Sequence, residues 1–292
     1  MRIVLLLALV GFGLLAGYLI IDLGAVSQWA AEQQRSFQNQ MASAVRGLRS
    51  GEPGAYLALL LAAGSYGIVH AVGPGHGKYL IGGVGLGTSV RASRLLSVAL
   101  VSSIAQAIWA ILLVYGGFLL LEVSARQMTV LAEDILAPAS YLIIASVGLI
   151  LFWRGTRSLF KGWRDTGHAH HDHCCNHAHG PTPHEVAKLE SVRDVATLVA
   201  SIAIRPCTGA IFLLVIAWQM DIRLAGALAV LAMGLGTASL TSLVALSSIA
   251  ARTAAFASAG NSAALPVLAS TAQLTAGALI VWFSLLLFQL TL

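Results

Sequence analysis

His70 and His76 stand on either side of Ala71-Val72-Gly73-Pro74-Gly75 and are followed by Gly77 and Lys78. An imidazole is a good ligand for borderline divalent metals such as nickel, cobalt and zinc. On an uninterrupted helix, residues six apart face different ways. Gly73, Pro74 and Gly75 should break the helix here and let the two rings turn toward one centre. The same break frees carbonyls near 71–73, at a helix C-terminus whose dipole favours a cation. Ser65 and Tyr66, about one turn before His70, are candidates for oxygen or supporting contacts. Lys78 would repel a cation in the same cavity, so it is expected to snorkel or pair elsewhere. The plainer alternative is a proline kink whose histidines hydrogen-bond across helices.

A second break reads Arg205-Pro206-Cys207-Thr208-Gly209. Pro206 and Gly209 interrupt the helix, Cys207 offers a thiolate for a soft or borderline metal, and Thr208 offers an oxygen. A buried cysteine also serves as a small packing residue. Arg205 is costly at membrane depth unless it is paired or faces water, and near a membrane edge it could act as an anchor. A third group is compositional. His168, His170, His171, His173, His177, His179 and His184, with Cys174 and Cys175, place seven of the nine histidines in one polar segment. That density suits metal capture with loose geometry rather than one fixed four-ligand zinc site. The adjacent cysteines do not read as a disulfide in a reducing cytoplasm.

These residues need elements to hold them. The chain has 292 residues, 58% hydrophobic and 10% charged, with a mean hydropathy of +0.83. Soluble domains carry about 25% charged residues, so the composition specifies an all-α polytopic membrane protein. The net charge of +5 comes without a long basic tract, which argues against a nucleic-acid partner. Residues 1–23 read as an N-terminal transmembrane helix, with an apolar run at 3–21, or as a leader. Residues 24–53 form an extracytoplasmic connection, 54–153 a first half with a broken helix at 54–88, 154–193 a cytoplasmic His-rich connection, and 194–292 a second half. Further spans are expected at 95–120, 136–153, 196–218, 224–248 and 265–288. In the first connection, Phe37, Met41, Val45 and Leu48 recur at helical spacing. They would line an apolar stripe on a helix lying on the membrane or packed on the protein.

With the His-rich connection in the cytoplasm, ten basic residues fall on that side and five on the other. The bias places the N-terminus inside and the C-terminus outside. The halves then enter the membrane from opposite sides, and they echo each other in sequence. Pro74 lies 17 residues before Arg91, and Pro206 lies 17 before Arg223. Ser102, Ser103 and Gln106 follow Pro74 at 28, 29 and 32 residues; Gly234, Gly236 and Thr237 follow Pro206 at 28, 30 and 31. The expected core is six helices in two inverted three-helix repeats, an arrangement of secondary carriers, plus the N-terminal helix.

The chain resembles the nickel/cobalt transporter superfamily, specifically its bacterial nickel/cobalt efflux branch. The resemblance runs over about 56–288 and is carried by His70-Ala71-Val72-Gly73-Pro74-Gly75-His76-Gly77-Lys78 and by Arg205-Pro206-Cys207-Thr208-Gly209-Ala210. It implies a multi-pass carrier of the bacterial inner membrane that exports Ni2+ and Co2+, with the first-half histidines important for transport. Related uptake permeases have an aspartate just before the second histidine of this motif; Gly75 stands there, without a carboxylate. The expectation is a secondary transporter and not an enzyme, with His70, His76 and Cys207 at the transport site. The cargo is nickel or cobalt, zinc being a further ion these ligands bind, and no cofactor is permanently held. With no nucleotide-binding motif, a proton or other ion gradient is the expected source of free energy. An uptake permease would carry the same ligands. A non-transporting metal sensor or a cysteine redox protein would need a partner module or a second membrane cysteine.

Overall fold

In lipid, every backbone amide must be satisfied within the protein, and this chain does so with helices. The computed structural model describes residues 23–72, 76–120, 124–165, 192–259 and 265–289, and among these there is no strand. The order is α1 (Leu23–Ser50), α2 (Ala55–Val72), α3 (His76–Gly87), α4 (Ala92–Leu120), α5 (Ala125–Val130), a π-helical turn (Leu131–Leu136), α6 (Ala137–Asp165), α7 (Val192–Ala203), α8 (Thr208–Gln219), α9 (Arg223–Ala259) and α10 (Leu265–Gln289). Among the described residues, five segments are long and apolar enough to cross a bilayer: Ala55–Val72, Ala92–Leu120, Asp134–Leu159, Arg223–Ala257 and Ala269–Gln289.

Two expectations change in detail. The span expected at 196–218 is two helices, α7 and α8, of 12 residues each. Each is about 18 Å long, too short to cross a hydrocarbon core of about 30 Å alone. The connection expected to begin at residue 154 starts later, because α6 stays helical through Asp165. Hydropathy marks where a helix leaves the bilayer, not where its hydrogen bonding ends. The expected helix or leader at 3–21 and the whole histidine-rich group from His168 to His184 lie outside the described residues.

The connection before α2 is helical and packs on the protein, the second of the two arrangements open to its stripe. Met41 and Val45 are fully buried, with Phe37 and Leu48 packed beside them. The exit from α1 is made by Gly51 and Gly54 at φ +76° and +85°, a region that L side chains rarely adopt. The Glu52 amide donates back to the Gly47 carbonyl at 2.8 Å and closes the end of α1.

Burial falls into two clusters. One contains Met41, Leu59, Tyr66, Leu214 and Met233, from α1, α2, α8 and the first part of α9. The other contains Leu80, Leu95, Ile144, Ile202 and Ile280, from α3, the start of α4, α6, α7 and α10. The second break, between α7 and α8, therefore falls where one core ends and the other begins, and α2 and α3, on either side of residues 73–75, likewise belong to different cores. α9 lies against α2 and α3, on both sides of the first break; α4 lies against α7 and α8, on both sides of the second; α6 pairs with α10. Small residues allow these crossings. A Cβ at Gly67 would collide with the Met233 carbonyl, and one at Gly236 with the Gly64 carbonyl, the close helix contact that small residues permit in membranes. Leu57, Leu61, Leu112, Leu149 and Trp282 are exposed, an apolar surface suited to lipid in a multi-pass membrane protein.

Candidate metal pathway

Pro206 has no amide to donate and ends helical pairing around it. Two neighbouring carbonyls take side-chain donors from α4 instead. Trp109 Nε1 donates to the Ile204 carbonyl at 3.0 Å, and Gln106 Nε2 donates to the Arg205 carbonyl. The Arg205 side chain is paired: its guanidinium donates to the Tyr141 hydroxyl and lies 5.0 Å from the centre of that ring. Cys207 is the N-cap of α8, and the amides of Ala210 and Ile211 donate to its carbonyl at 3.0 and 3.2 Å.

Beside this break is a cavity of about 20 Å³, lined by His70 from α2, Ser103 and Gln106 from α4, Cys207 from the second break, and Met233 and Thr237 from α9. It has room for one water-sized particle. Gln106 is 14 residues from each end of α4 (Ala92 and Leu120), about 21 Å along the helix. The cavity is thus at mid-length of a span, bordered by Ala107, Ala210, Val230 and Met233 of the first core. Its polar wall needs an occupant or internal partners at that depth.

His70 Nδ1 is 3.2 Å from Gln34 Oε1. The amide orientation is set by its other end, because Gln34 Nε2 donates to the Ala30 carbonyl at 3.3 Å. The oxygen therefore faces the ring and accepts from Nδ1–H, leaving the Nε2 lone pair as the one that can bind a metal. The Tyr66 ring stacks on His70 with centroids 5.8 Å apart and planes 11° from parallel. The Tyr66 hydroxyl meets Gln38 and Thr208, and a Cβ at Gly209 would strike its ring. Gly209 is thus the seat for the tyrosine of the first span.

The sequence reading and the structure meet unevenly. His70 and Cys207 line one cavity, Tyr66 supports His70, and Pro206 lies in the second break, whereas Gly209, expected to interrupt the helix, is the second residue of α8. Thr208 touches Tyr66 and is itself exposed. His76 begins α3, but its side chain and that of Lys78 lie outside the described residues, as do Gly73, Pro74 and Gly75. Ser65 does not line the cavity. Gln34 and Met233 went unread. Ser103, Gln106, Gly234 and Thr237, which line the cavity, were visible only as an echo between the halves, and that spacing was the signal available. Among the described residues, no three of His, Cys, Asp and Glu come together as a ligand set. An ion held here completes its shell from other donors.

Comparison with known proteins agrees with this chemistry. Residues 56–190 match the family model NicO, described as a high-affinity nickel-transport protein; the second break lies beyond that match. A Haemophilus influenzae protein named "Putative nickel/cobalt efflux system" is 29% identical over 229 residues, covering 71% of this chain and 70% of its own length. No solved structure matches.

Proposed function

We propose that the chain, which matches the NicO family model over residues 56–190 and resembles a protein named as a nickel/cobalt efflux system, is a secondary carrier of the nickel/cobalt transporter family that exports Ni2+ or Co2+ across the bacterial cytoplasmic membrane. The observation that carries the reading is the shared cavity. His70 reaches it from the first broken span and Cys207 from the second, at mid-length of α4. The printed name of the Haemophilus influenzae relative supports the outward direction. The metal is cargo, and no permanently bound cofactor is needed.

In this reading the halves are inverted repeats: α2–α3, α4 and α6 against α7–α8, α9 and α10. Their support is reciprocal packing, with α9 spanning the first break and α4 the second. An ion held between the two halves allows one half to move against the other and open the cavity to alternate sides. The N-terminus and His-rich loop face the cytoplasm and the C-terminus faces outward, as the excess of basic residues favours. The loop gathers metal at the entrance, and a proton or other ion gradient supplies the free energy. The test is metal flux into vesicles holding a metal-sensitive dye, with and without an imposed pH gradient. Ni2+ or Co2+ flux that responds to the gradient supports the carrier; binding without flux in folded, reconstituted protein would overturn it.

A further inference from the structure

The cavity presents a thioether beside a thiol. We propose that Met233 is a metal ligand, forming with Cys207 a two-sulfur clamp that, together with His70, selects borderline cations such as Ni2+ and Co2+ over hard ones such as Mg2+, Ca2+ and Mn2+. The inference rests on the cavity being the transport site and names the source of that site's selectivity.

Three observations carry it. First, Cys207 Sγ is 3.6 Å from Met233 Sδ. Two sulfurs each about 2.3 Å from a tetrahedral metal stand about 3.8 Å apart, so the pair is already spaced to share one ion. Second, Met233 is held in place. It is 2% exposed, its carbonyl abuts Gly67, and Thr237 Oγ1 donates to that carbonyl at 3.1 Å while also reaching the Gly67 carbonyl at 3.2 Å. The most adaptable apolar side chain thus hangs from one of the tightest helix crossings in the protein. Third, the cavity of about 20 Å³ has no room for a metal with its full hydration shell. An ion must exchange water for protein donors. Mg2+ dehydrates reluctantly and, like Ca2+ and Mn2+, prefers oxygen, whereas thiolate, thioether and imidazole suit softer metals. As the metal–sulfur bond to Cys207 forms, the thiol proton leaves to water; the Met233 sulfur binds without proton loss.

The experiment uses the full-length chain with the loop's Cys174 and Cys175 replaced by serine and its histidines by alanine, loaded with Co2+ and read by X-ray absorption at the cobalt edge. Two sulfur neighbours at about 2.3 Å are expected, falling to one in Met233→Leu and to one in Cys207→Ser. Met233→Leu keeps size and apolarity. The chain without membrane-site substitutions, grown with selenomethionine, avoids any question of folding: one sulfur neighbour should become selenium, since Met233 is the methionine that lines the cavity. In vesicles, Met233→Leu should narrow the preference for Ni2+ over Mn2+ by about tenfold or more. An unchanged sulfur count in Met233→Leu, or no cobalt–selenium contact, overturns the sulfur clamp while leaving the cavity reading in place. Cobalt binding that is unaffected by His70→Ala overturns the cavity reading and the clamp with it.

Discussion

At the scale of single residues, His70 is governed by what holds its other nitrogen. Gln34 accepts from Nδ1–H at 3.2 Å, and partners of this kind fix a metal-binding histidine's tautomer and direction. Gln34→Leu should therefore raise the half-saturating metal concentration about tenfold with less effect on maximal flux. Gln34→Glu, which retains an acceptor, should remain near wild type. Initial rates over a wide metal range check both. That His70 and Cys207 line one cavity was anticipated from the expected approach of the two proline-bearing segments inside the bilayer. Gln34 and Met233 were not. A glutamine on the polar side of an amphipathic segment looks solvated, and a methionine in a long apolar run looks like filling. Only the packing of α1 and α9 on α2 brings them to the site.

At the scale of elements, the fold depends on helix crossings without side chains between them and on donors that reach broken backbone. Gly67 and Gly116 separate these effects. A Cβ at Gly67 would collide with the Met233 carbonyl, whereas one at Gly116 would meet nothing. Gly67→Ala should lower stability by about 1–3 kcal/mol, and Gly116→Ala should leave it unchanged or raise it by up to about 1 kcal/mol. Thermal unfolding in detergent checks both signs. Gln106→Leu removes the donor to the Arg205 carbonyl and should cost about 1–3 kcal/mol in the same assay. The position of the second break was readable from Pro206. The end of α6 was not, because Arg154, Arg157 and Arg164 mark departure from lipid while helical hydrogen bonding continues to Asp165.

At the scale of the whole molecule, transport by this account requires the two halves to move against each other, so fixing them together should stop it. Gly87 of α3 faces α10 at Ala276, where an added Cβ would be 3.3 Å from the Ala276 Cβ, a few tenths of an ångström inside the spacing a disulfide bridges. Gly87→Cys with Ala276→Cys, in a chain that keeps Cys207 and carries serine in place of Cys174 and Cys175, should block Co2+ flux when oxidised relative to the same chain reduced. Full flux by the oxidised protein would argue against rocking halves. Deleting residues 168–179 should lower apparent metal affinity more than maximal flux, as expected of a gathering loop. The central claim is that one ion is held by both halves at once, and a double-mutant cycle on binding tests it most directly. Co2+ affinity would be measured for the full-length chain with its loop ligands replaced, for His70→Ala, for Cys207→Ser and for the double variant. Two ligands of one ion should be coupled by about 0.5–3 kcal/mol, so the combined loss should differ from the sum of the single losses. Strictly additive losses, or no loss from either substitution, would contradict the account.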